Sequence, residues 1–306
     1  MSDTKSTVHI GTAPDSWGVW YPNDPQQPPW ERFLNEARDA GYEWIELGPY
    51  GYLPTDPNQL ADELGSRGLH LSAGTMFTSF HRGTGEAWKT AWEEAQQIGK
   101  LISALGAEHV VVLPEMWGEP EFQNPVLRTP GVEQWDHLRE LHNQLGRALR
   151  EEFGLSQQFH SHAESQIGTT RELERFIAET DPEFVGICLD TGHYAYYGGD
   201  SVRLIRNHPE RIGYLHLKQV DQNLIFDVLK NGTTFADAVP QGIMTEPPNG
   251  IPDFGPVLEA AAELGRDIFA VVEQDMYPLP SLETPLPIAE RTRKHIISCS
   301  NLALRR

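Results

Sequence analysis

The stretch 184–219 constrains the fold most, because it contains two buried-strand patterns on either side of a short helical pattern. The apolar runs VGICLD (185–190) and IGYLHLK (212–218) are predicted as strands, and SVRLIRNHPER (201–211) is predicted as the helix between them. Strand, helix and strand in this order favour two parallel strands joined by a right-handed crossover. The segment therefore predicts an α/β protein with a parallel sheet.

The rest of the chain repeats this alternation. Strands are predicted at 8–14, 43–48, 69–77, 108–115, 155–165, 185–190, 212–218 and 268–275. Helices are predicted at 30–42, 58–68, 86–105, 130–153, 169–180, 201–211, 256–265 and 284–303. Eight strands that alternate with helices over 306 residues predict a single (β/α)₈ TIM barrel spanning 1–306. The stretch 219–253 breaks the rhythm and is expected to form a long loop or lid.

Composition restricts the partners and the compartment. The 24 Lys and Arg against 44 Asp and Glu give a formal charge of −20, which argues against binding to nucleic acid or to an anionic membrane. No stretch is long and apolar enough to span a membrane or to act as a signal peptide. Two cysteines, Cys188 and Cys299, make no disulfide framework, so a reducing cytoplasm is expected. The first strand leads into IGTAPDSWG rather than a GxGxxG turn, which disfavours a dinucleotide fold.

Residues of metal-ligand type occur at the ends of four successive predicted strands. Strand five has His160 and His162, strand six has Asp190, strand seven has His216 and strand eight has Glu273. The carboxyl ends of barrel strands converge on one face, where active sites are found. Two imidazoles with two carboxylates suit Mn²⁺, Co²⁺, Fe²⁺ or Zn²⁺. A single strand-end histidine is more often structural, and Asp190 could cap the next turn, so the metal hypothesis depends on the four positions together.

Six motifs together resemble one known family. They are APDSWGVW, WIELGPYGYLP, FHSH, CLDTGH, YLHLKQVD and VVEQDMYP, and the resemblance extends from Ile10 to Met276. By these motifs the chain resembles the xylose isomerase-like TIM barrels, the sugar phosphate isomerase/epimerase superfamily. Within it, the chain is most similar to the inosose (2-keto-myo-inositol) dehydratase group. The motifs are specific for the superfamily and much less so for the substrate.

The resemblance implies a divalent metal held by Glu, Asp, His and Glu at the ends of strands five to eight. The last three of these positions match Asp190, His216 and Glu273. Strand five departs from the pattern, because His160-Ser161-His162 stands where many members have Glu-x-His. His160 is therefore expected as the ligand, with His162 or Glu164 as alternatives. Mn²⁺ or Co²⁺ is expected first, followed by Zn²⁺, Fe²⁺ or Mg²⁺.

The resemblance also implies a reaction in carbohydrate metabolism, with inositol catabolism as the expected setting. The substrate would be a keto-polyol such as an inosose, which loses the proton α to its ketone to give a metal-stabilised enediolate and then eliminates water. His162 is expected to transfer the proton, since an imidazole titrates near neutral pH. Lys218 is placed to stabilise oxyanion charge, and His193 to bond a substrate oxygen.

Four further residues are expected to bind the substrate. Glu46, Glu115 and Asp275 would bind hydroxyl groups, and Trp17, together with Trp20, would give the apolar wall that sugar rings favour. The two tryptophans could instead only plug the end of the barrel.

Other functions fit the same residues. Reprotonation of the enediolate would make the protein an isomerase or epimerase of a free or phosphorylated sugar, and elimination from a 3-keto-glycoside would make it a different lyase. A barrel that binds a sugar without catalysis is a further alternative, disfavoured by the intact ligand set. The superfamily also includes endonucleases that cut at abasic sites, which the net charge of −20 argues against. Aromatic residues in GPYGYLP and AYYGG would suit either a homo-oligomer contact or a lid.

Overall fold

Eight parallel strands form a closed barrel in this computed structural model, which describes residues 7–116 and 129–299. Each strand pairs with the next one in sequence, and the first pairs with the last. The strands are β1 (Val8–Thr12), β2 (Trp44–Glu46), β3 (His70–Thr78), β4 (His109–Pro114), β5 (Ser156–His160), β6 (Val185–Asp190), β7 (Ile212–Leu217) and β8 (Ile268–Val272). The predicted α/β class and (β/α)₈ barrel are therefore confirmed.

The helices alternate with these strands. They are α1 (Trp30–Asp39), α2 (Pro57–Gly65), α3 (Glu86–Ala104), α4 (Val132–Phe153), α5 (Thr170–Glu179), α6 (Thr191–Tyr196), α7 (Ser201–Asn207), α8 (Gln222–Asn231), α9 (Phe235–Ala238), α10 (Phe254–Ala262) and α11 (Pro285–Ser298). The last predicted helix corresponds to α11, and its expected continuation over 300–303 lies outside the described residues. In the ranges that the structure describes, no helix is long and apolar enough to cross a membrane.

Strand β4 shows how the strand pleat divides the core into two layers. Val110 and Val112 are fully buried between the barrel and the helices, whereas Val111 is fully buried inside the barrel. Successive side chains of a strand point to opposite faces, and both faces of a barrel strand are covered. The all-apolar sequence of this strand follows from that double burial. In β4 the polar residues therefore lie at its two ends, at His109 and Glu115.

Strands β5 and β8 end three or more residues earlier than predicted, and both ends lie at the candidate site. Strand β5 ends at His160, and the following turn includes Glu164 at a left-handed φ of 61°. The predicted strand 155–165 would have placed His160, His162 and Glu164 on one face, but the chain leaves the sheet after His160. Strand β8 ends at Val272, so Glu273 is the first residue beyond it.

The stretch 219–253 is a folded insertion with secondary structure of its own. It contains α8, α9 and a short 3₁₀ turn, and Val220 forms antiparallel bridges with Met244 and Ile251. Its apolar residues pack in a cluster of their own with residues of α6. The buried members are Ala163, Ala195, Tyr196, Val220, Val228, Phe235, Ala238, Val239, Ile243 and Met244. This packing fixes the insertion over the carboxyl ends of β5 and β6.

Candidate active site

The four residues predicted as metal ligands lie together at the carboxyl ends of β5 to β8. One ligand atom from each of His160, Asp190, His216 and Glu273 lies within 4.8 Å of the others. Within the cluster, His160 Nε2 is 3.4 Å from Asp190 Oδ2, and His216 Nδ1 is 2.9 Å from Glu273 Oε2. His160, Asp190 and His216 are almost completely buried. Such a mixed set of nitrogen and oxygen atoms fits a transition-metal dication.

Unpartnered atoms in this cluster support a metal-binding interpretation. Both ring nitrogens of His160, Nδ1 of His216 and Oδ2 of Asp190 are buried without a hydrogen bond to any described residue. Buried polar atoms without partners are unfavourable and call for an explanation such as an ion. The other oxygen of Asp190 accepts a 2.7 Å hydrogen bond from the main-chain N–H of His193 and caps α6. The capping role considered for Asp190 is thus present, and it leaves Oδ2 facing the cluster.

Glu46 at the end of β2 orients one of these histidines. The His216 Nε2–H donates a 2.6 Å hydrogen bond to Glu46 Oε1, and Thr75 donates to Glu46 Oε2 at 3.1 Å. With Nε2 held by Glu46, Nδ1 is the His216 ring nitrogen that faces the cluster. A carboxylate behind a metal-ligating histidine fixes its tautomer and ring orientation. Glu46 was expected to bind a substrate hydroxyl, but both of its oxygens already accept hydrogen bonds within the protein.

A cavity of about 350 Å³ opens from the cluster toward solvent. Its polar side is formed by His160 and Glu273 of the four-residue cluster and by Asp15, His162, His193, Lys218 and Asp275. Its apolar side is formed by Val19, Trp20, Phe77, Leu113, Met116 and Phe235. Cavities with an apolar wall and a few convergent polar groups are typical of small-molecule sites. A ring with hydroxyl groups at its edge and C–H groups on its face would match both sides.

Lys218 follows β7 and is surrounded by carboxylates. Its Nζ donates to Asp275 Oδ2 at 2.8 Å and lies 3.2 Å from Glu273, 3.4 Å from Asp190 and 3.7 Å from Asp15. Burial alone would lower the pKa of Lys218, but these carboxylates raise it well above its ordinary value. Lys218 is therefore a charged ammonium group that stands beside the metal-type cluster.

His162 and His193 form a close pair beside the cavity, with ring centroids 3.7 Å apart and ring planes tilted by 36°. His162 donates from Nδ1 to the carbonyl oxygen of Ala163 at 2.7 Å, so its Nε2 holds a lone pair. Burial, aided by His160 and Lys218, lowers the pKa of His162 to about 3, and burial likewise holds the pKa of His193 well below its ordinary value. Both imidazoles are therefore neutral near pH 7 and able to accept a proton.

Two residues predicted to bind substrate lie elsewhere in the structure. Trp17 is fully buried, packs against Phe33 at a centroid distance of 5.0 Å, and donates its indole N–H to Glu36 at 2.8 Å. It belongs to the core, because its ring points away from the cavity toward α1. Glu115 is half-exposed and forms a 2.8 Å ion pair with Arg82. Neither residue lines the cavity, whereas Trp20 does.

Asp15 and Phe235 are cavity residues that the sequence analysis did not single out. Asp15 lies three residues after the end of β1, so the reasoning that selected the residues at other strand ends could have selected it as well. Phe235 comes from the insertion and packs against His162 and His193, with ring centroids 5.1 Å from each. No local pattern points to Phe235, because its position depends on how the insertion folds back over the barrel.

Comparison with known proteins agrees with this fold over most of the chain. The family described as xylose isomerase-like TIM barrel matches residues 34–299. An inosose dehydratase of Geobacillus thermodenitrificans is 30% identical and covers 95% of this chain and 97% of its own length. The rhizopine catabolism protein MocC of Rhizobium meliloti is 32% identical and covers 82% and 76%, respectively.

A solved structure agrees with the same fold. The IolI protein with a binding zinc atom superposes with a TM-score of 0.73 at 16% identity, covering 96% of this chain and 100% of that one. The resemblance seen in the sequence motifs is thus confirmed by the family match, by relatives of similar length and by the shared architecture. The chain belongs to the xylose isomerase-like TIM barrel family and is an enzyme of that superfamily.

Proposed function

We propose that this protein is a divalent-metal-dependent dehydratase of an uncharged keto-polyol, with an inosose as the expected substrate. The observation that carries the proposal is the arrangement at the cavity. A four-residue cluster of metal-ligand type faces a neutral imidazole, His162, and an ammonium group, Lys218, across a space of about 350 Å³. The inosose dehydratases among the relatives, similar over nearly the whole chain, support the same reaction class.

His160, Asp190, His216 and Glu273 would hold the metal. When bound, a divalent cation would supply Lewis acidity that polarises a substrate carbonyl and lowers the pKa of the adjacent C–H. The zinc-bound IolI neighbour supports a metal in a barrel of this architecture. Mn²⁺ or Co²⁺ is proposed for this chain, because a site with two imidazoles and two carboxylates accepts either ion.

His162 is proposed to remove the proton α to the ketone. Its Nε2 lone pair faces the cavity, since Nδ1–H is held by the Ala163 carbonyl. Burial lowers the pKa of His162, so the ring is unprotonated at neutral pH, as a base must be before the reaction. Phe235 packs on the ring and shields it from water on that side.

Lys218, His193 and Asp275 are proposed to assist the departure of the hydroxyl group from the substrate. The Lys218 ammonium can donate to an oxygen that develops negative charge, which is the role of preorganised charge in a dry site. His193 Nδ1 lies 3.3 Å from the main-chain N–H of Ala163, and its Nε2 lies 3.2 Å from the Lys218 ammonium, which can only donate. Asp275 holds Lys218 in place with a 2.8 Å hydrogen bond.

The charge of the cavity supports an unphosphorylated substrate. Among the described residues that line it, Lys218 is the one lysine or arginine, and carboxylates surround its ammonium group. Phosphate groups are bound by clusters of cations or by helix N-termini rich in free N–H groups. An anionic substrate would meet four carboxyl side chains that line the cavity, namely Asp15, Glu46, Glu273 and Asp275.

The test is turnover of 2-keto-myo-inositol by metal-reconstituted protein in D₂O, followed by ultraviolet absorbance and NMR. Loss of water with appearance of a conjugated product is the expected result. Deuterium incorporation at the α carbon without elimination would replace the dehydratase proposal by an isomerase or epimerase. If neither signal appears, the dehydratase proposal for this substrate is wrong, and 3-keto-glycosides are the next substrates to assay for elimination.

A further inference from the structure

In the turn after β1, the Asp15 carboxylate lines the cavity, whereas the next two residues, Ser16 and Trp17, are held by other parts of the barrel. The Ser16 hydroxyl donates to the Val272 carbonyl at 3.2 Å and accepts from the Gln274 N–H at 3.1 Å, which ties the turn to the end of β8. Trp17 is fully buried in the core. These two anchors fix the backbone on one side of Asp15, whose own side chain lines the cavity. The carboxylate is thus held on a rigid support rather than on a free loop.

The two oxygens of Asp15 differ in their partners. Oδ1 accepts a 2.9 Å hydrogen bond from the indole N–H of Trp20. Oδ2 is buried and has no hydrogen bond to any residue in 7–116 or 129–299. Its nearest cation is Lys218, 3.7 Å away, but three other carboxylate oxygens lie closer to that ammonium, at 2.8, 3.2 and 3.4 Å. An ammonium has three N–H donors, and the three nearer carboxylates compete for them. Asp15 Oδ2 therefore receives no hydrogen bond from Lys218.

A buried carboxyl oxygen that accepts no hydrogen bond destabilises the ligand-free protein, and a ligand that supplies a donor removes this penalty. The surroundings restrict which donor fits. A second cation would be repelled by Lys218, and an anion would be repelled by the carboxylates. A neutral hydroxyl group avoids both penalties. Trp20, which holds Oδ1, also lines the cavity and offers a ring face to C–H groups beside that hydroxyl.

We propose that Asp15 is a substrate-binding residue whose Oδ2 accepts a hydrogen bond from one hydroxyl group of a neutral polyol. It selects substrates that carry a hydroxyl at that position of the ring. Trp20 is a positioning residue, because its indole N–H fixes the rotation of the carboxylate. This inference rests on the proposed keto-polyol function and adds the residue that reads one hydroxyl of the ring.

Binding of unreactive polyols tests the proposal without turnover. The probes are myo-inositol and its monodeoxy derivatives, which lack the ketone, titrated calorimetrically into metal-loaded protein. Asp15→Ala should weaken myo-inositol binding roughly 3- to 10-fold, as expected for the loss of one buried hydrogen bond. Asp15→Asn keeps the volume but offers one acceptor fewer, and should weaken it by a smaller factor. Trp20→Phe keeps an aromatic ring and should also weaken binding. Asp62→Ala, at an exposed position on α2, is the matched control.

The deoxy series identifies the hydroxyl. One monodeoxy derivative should bind wild-type protein about as weakly as myo-inositol binds Asp15→Ala, and that variant should not distinguish the two ligands. Equal affinity of wild-type protein and both Asp15 variants for all probes would overturn the role of Asp15. So would loss of bound metal in Asp15→Asn, since Asp15 would then belong to the metal centre. Wild-type protein that binds polyols but dehydrates no inosose would contradict the proposed function alone, and failure to bind any polyol would overturn both.

Discussion

Asp190 shows how one side chain serves both the fold and the candidate metal centre. Its Oδ1 caps α6 at the His193 N–H, and its Oδ2 faces the cluster without a hydrogen bond. The two readings of this residue, as a cap and as a ligand, are therefore compatible. The cap also sets the position of His193, because α6 begins directly after the strand. A single carboxylate thus connects the cluster of His160, His216 and Glu273 with the histidine pair His162 and His193.

Glu273 gives the most direct test of the cluster at the residue scale. Replacing it by Gln keeps the shape but removes a negative charge next to His216 Nδ1, at 2.9 Å. We expect Glu273→Gln to lose bound metal and turnover together, as measured by elemental analysis after dialysis and by the inosose assay. The control is Glu263→Gln, which changes an exposed carboxylate paired with Arg206. Full metal content and full activity in Glu273→Gln would remove this residue from the metal centre.

His162 should separate binding of the metal from catalysis. We expect His162→Ala to retain the metal and to lose activity by roughly 10²- to 10⁴-fold, the usual contribution of a general base. His208→Ala, at a surface histidine paired with Glu174, serves as control. Loss of metal in His162→Ala would instead make His162 a ligand, and the assignment of His160 as the ligand from β5 would be wrong.

At the scale of elements, the strand order explains which parts of the site were predictable. Buried apolar runs ending in His, Asp or Glu predicted β5 to β8 and the four-residue cluster, because parallel strands bring their carboxyl ends to one face. Trp17 was misplaced, because sequence alone does not show which side of a turn faces the core. Phe235 was missed, because the insertion reaches the site only through its tertiary packing. After β5 the chain passes through a turn in which Glu164 has a positive φ. Because this position is not a glycine, the sequence did not indicate the turn.

Strand β2 contributes to the site across the barrel, through the hydrogen bond from His216 on β7 to Glu46. We expect Glu46→Gln to weaken metal binding roughly 10- to 100-fold, the usual effect of removing the carboxylate behind a ligating histidine. Metal affinity can be measured by competition with a chelator, and the melting temperature without metal serves as the reference for folding. Unchanged metal affinity would show that Glu46 does not orient His216. A higher KM for the substrate at unchanged metal affinity would indicate that Glu46 binds the substrate instead.

At the scale of the whole molecule, buried neutral histidines link stability to pH. His142 on α4 is fully buried among Phe80, Phe159 and Phe176, and burial lowers its pKa from 6.5 to about 3. The unfolded chain therefore binds a proton below pH 6.5 that the folded chain binds only near pH 3. Stability is retained above pH 6.5 and falls as the pH drops.

This residue should contribute a loss of roughly 2 kcal/mol in the free energy of unfolding between neutral pH and pH 5. His142→Phe removes the titrating group, so its free energy of unfolding should fall less steeply over this range. Urea unfolding at several pH values measures the slope for both proteins. Identical slopes would show that His142 does not remain neutral in the folded state. Because the slope of the free energy of unfolding against pH is compared, a constant change in stability from altered packing does not affect the result.

The central claim is that this barrel uses a divalent metal to dehydrate a keto-polyol. The most direct measurement is the rate of water loss from 2-keto-myo-inositol by one protein preparation, before chelator treatment, after it, and after Mn²⁺ or Co²⁺ is restored. Elimination that disappears with the metal and returns with it, while Glu273→Gln stays inactive throughout, is the predicted result. Elimination that continues at full rate in metal-free protein, or a reloaded protein that eliminates no water, would contradict the account.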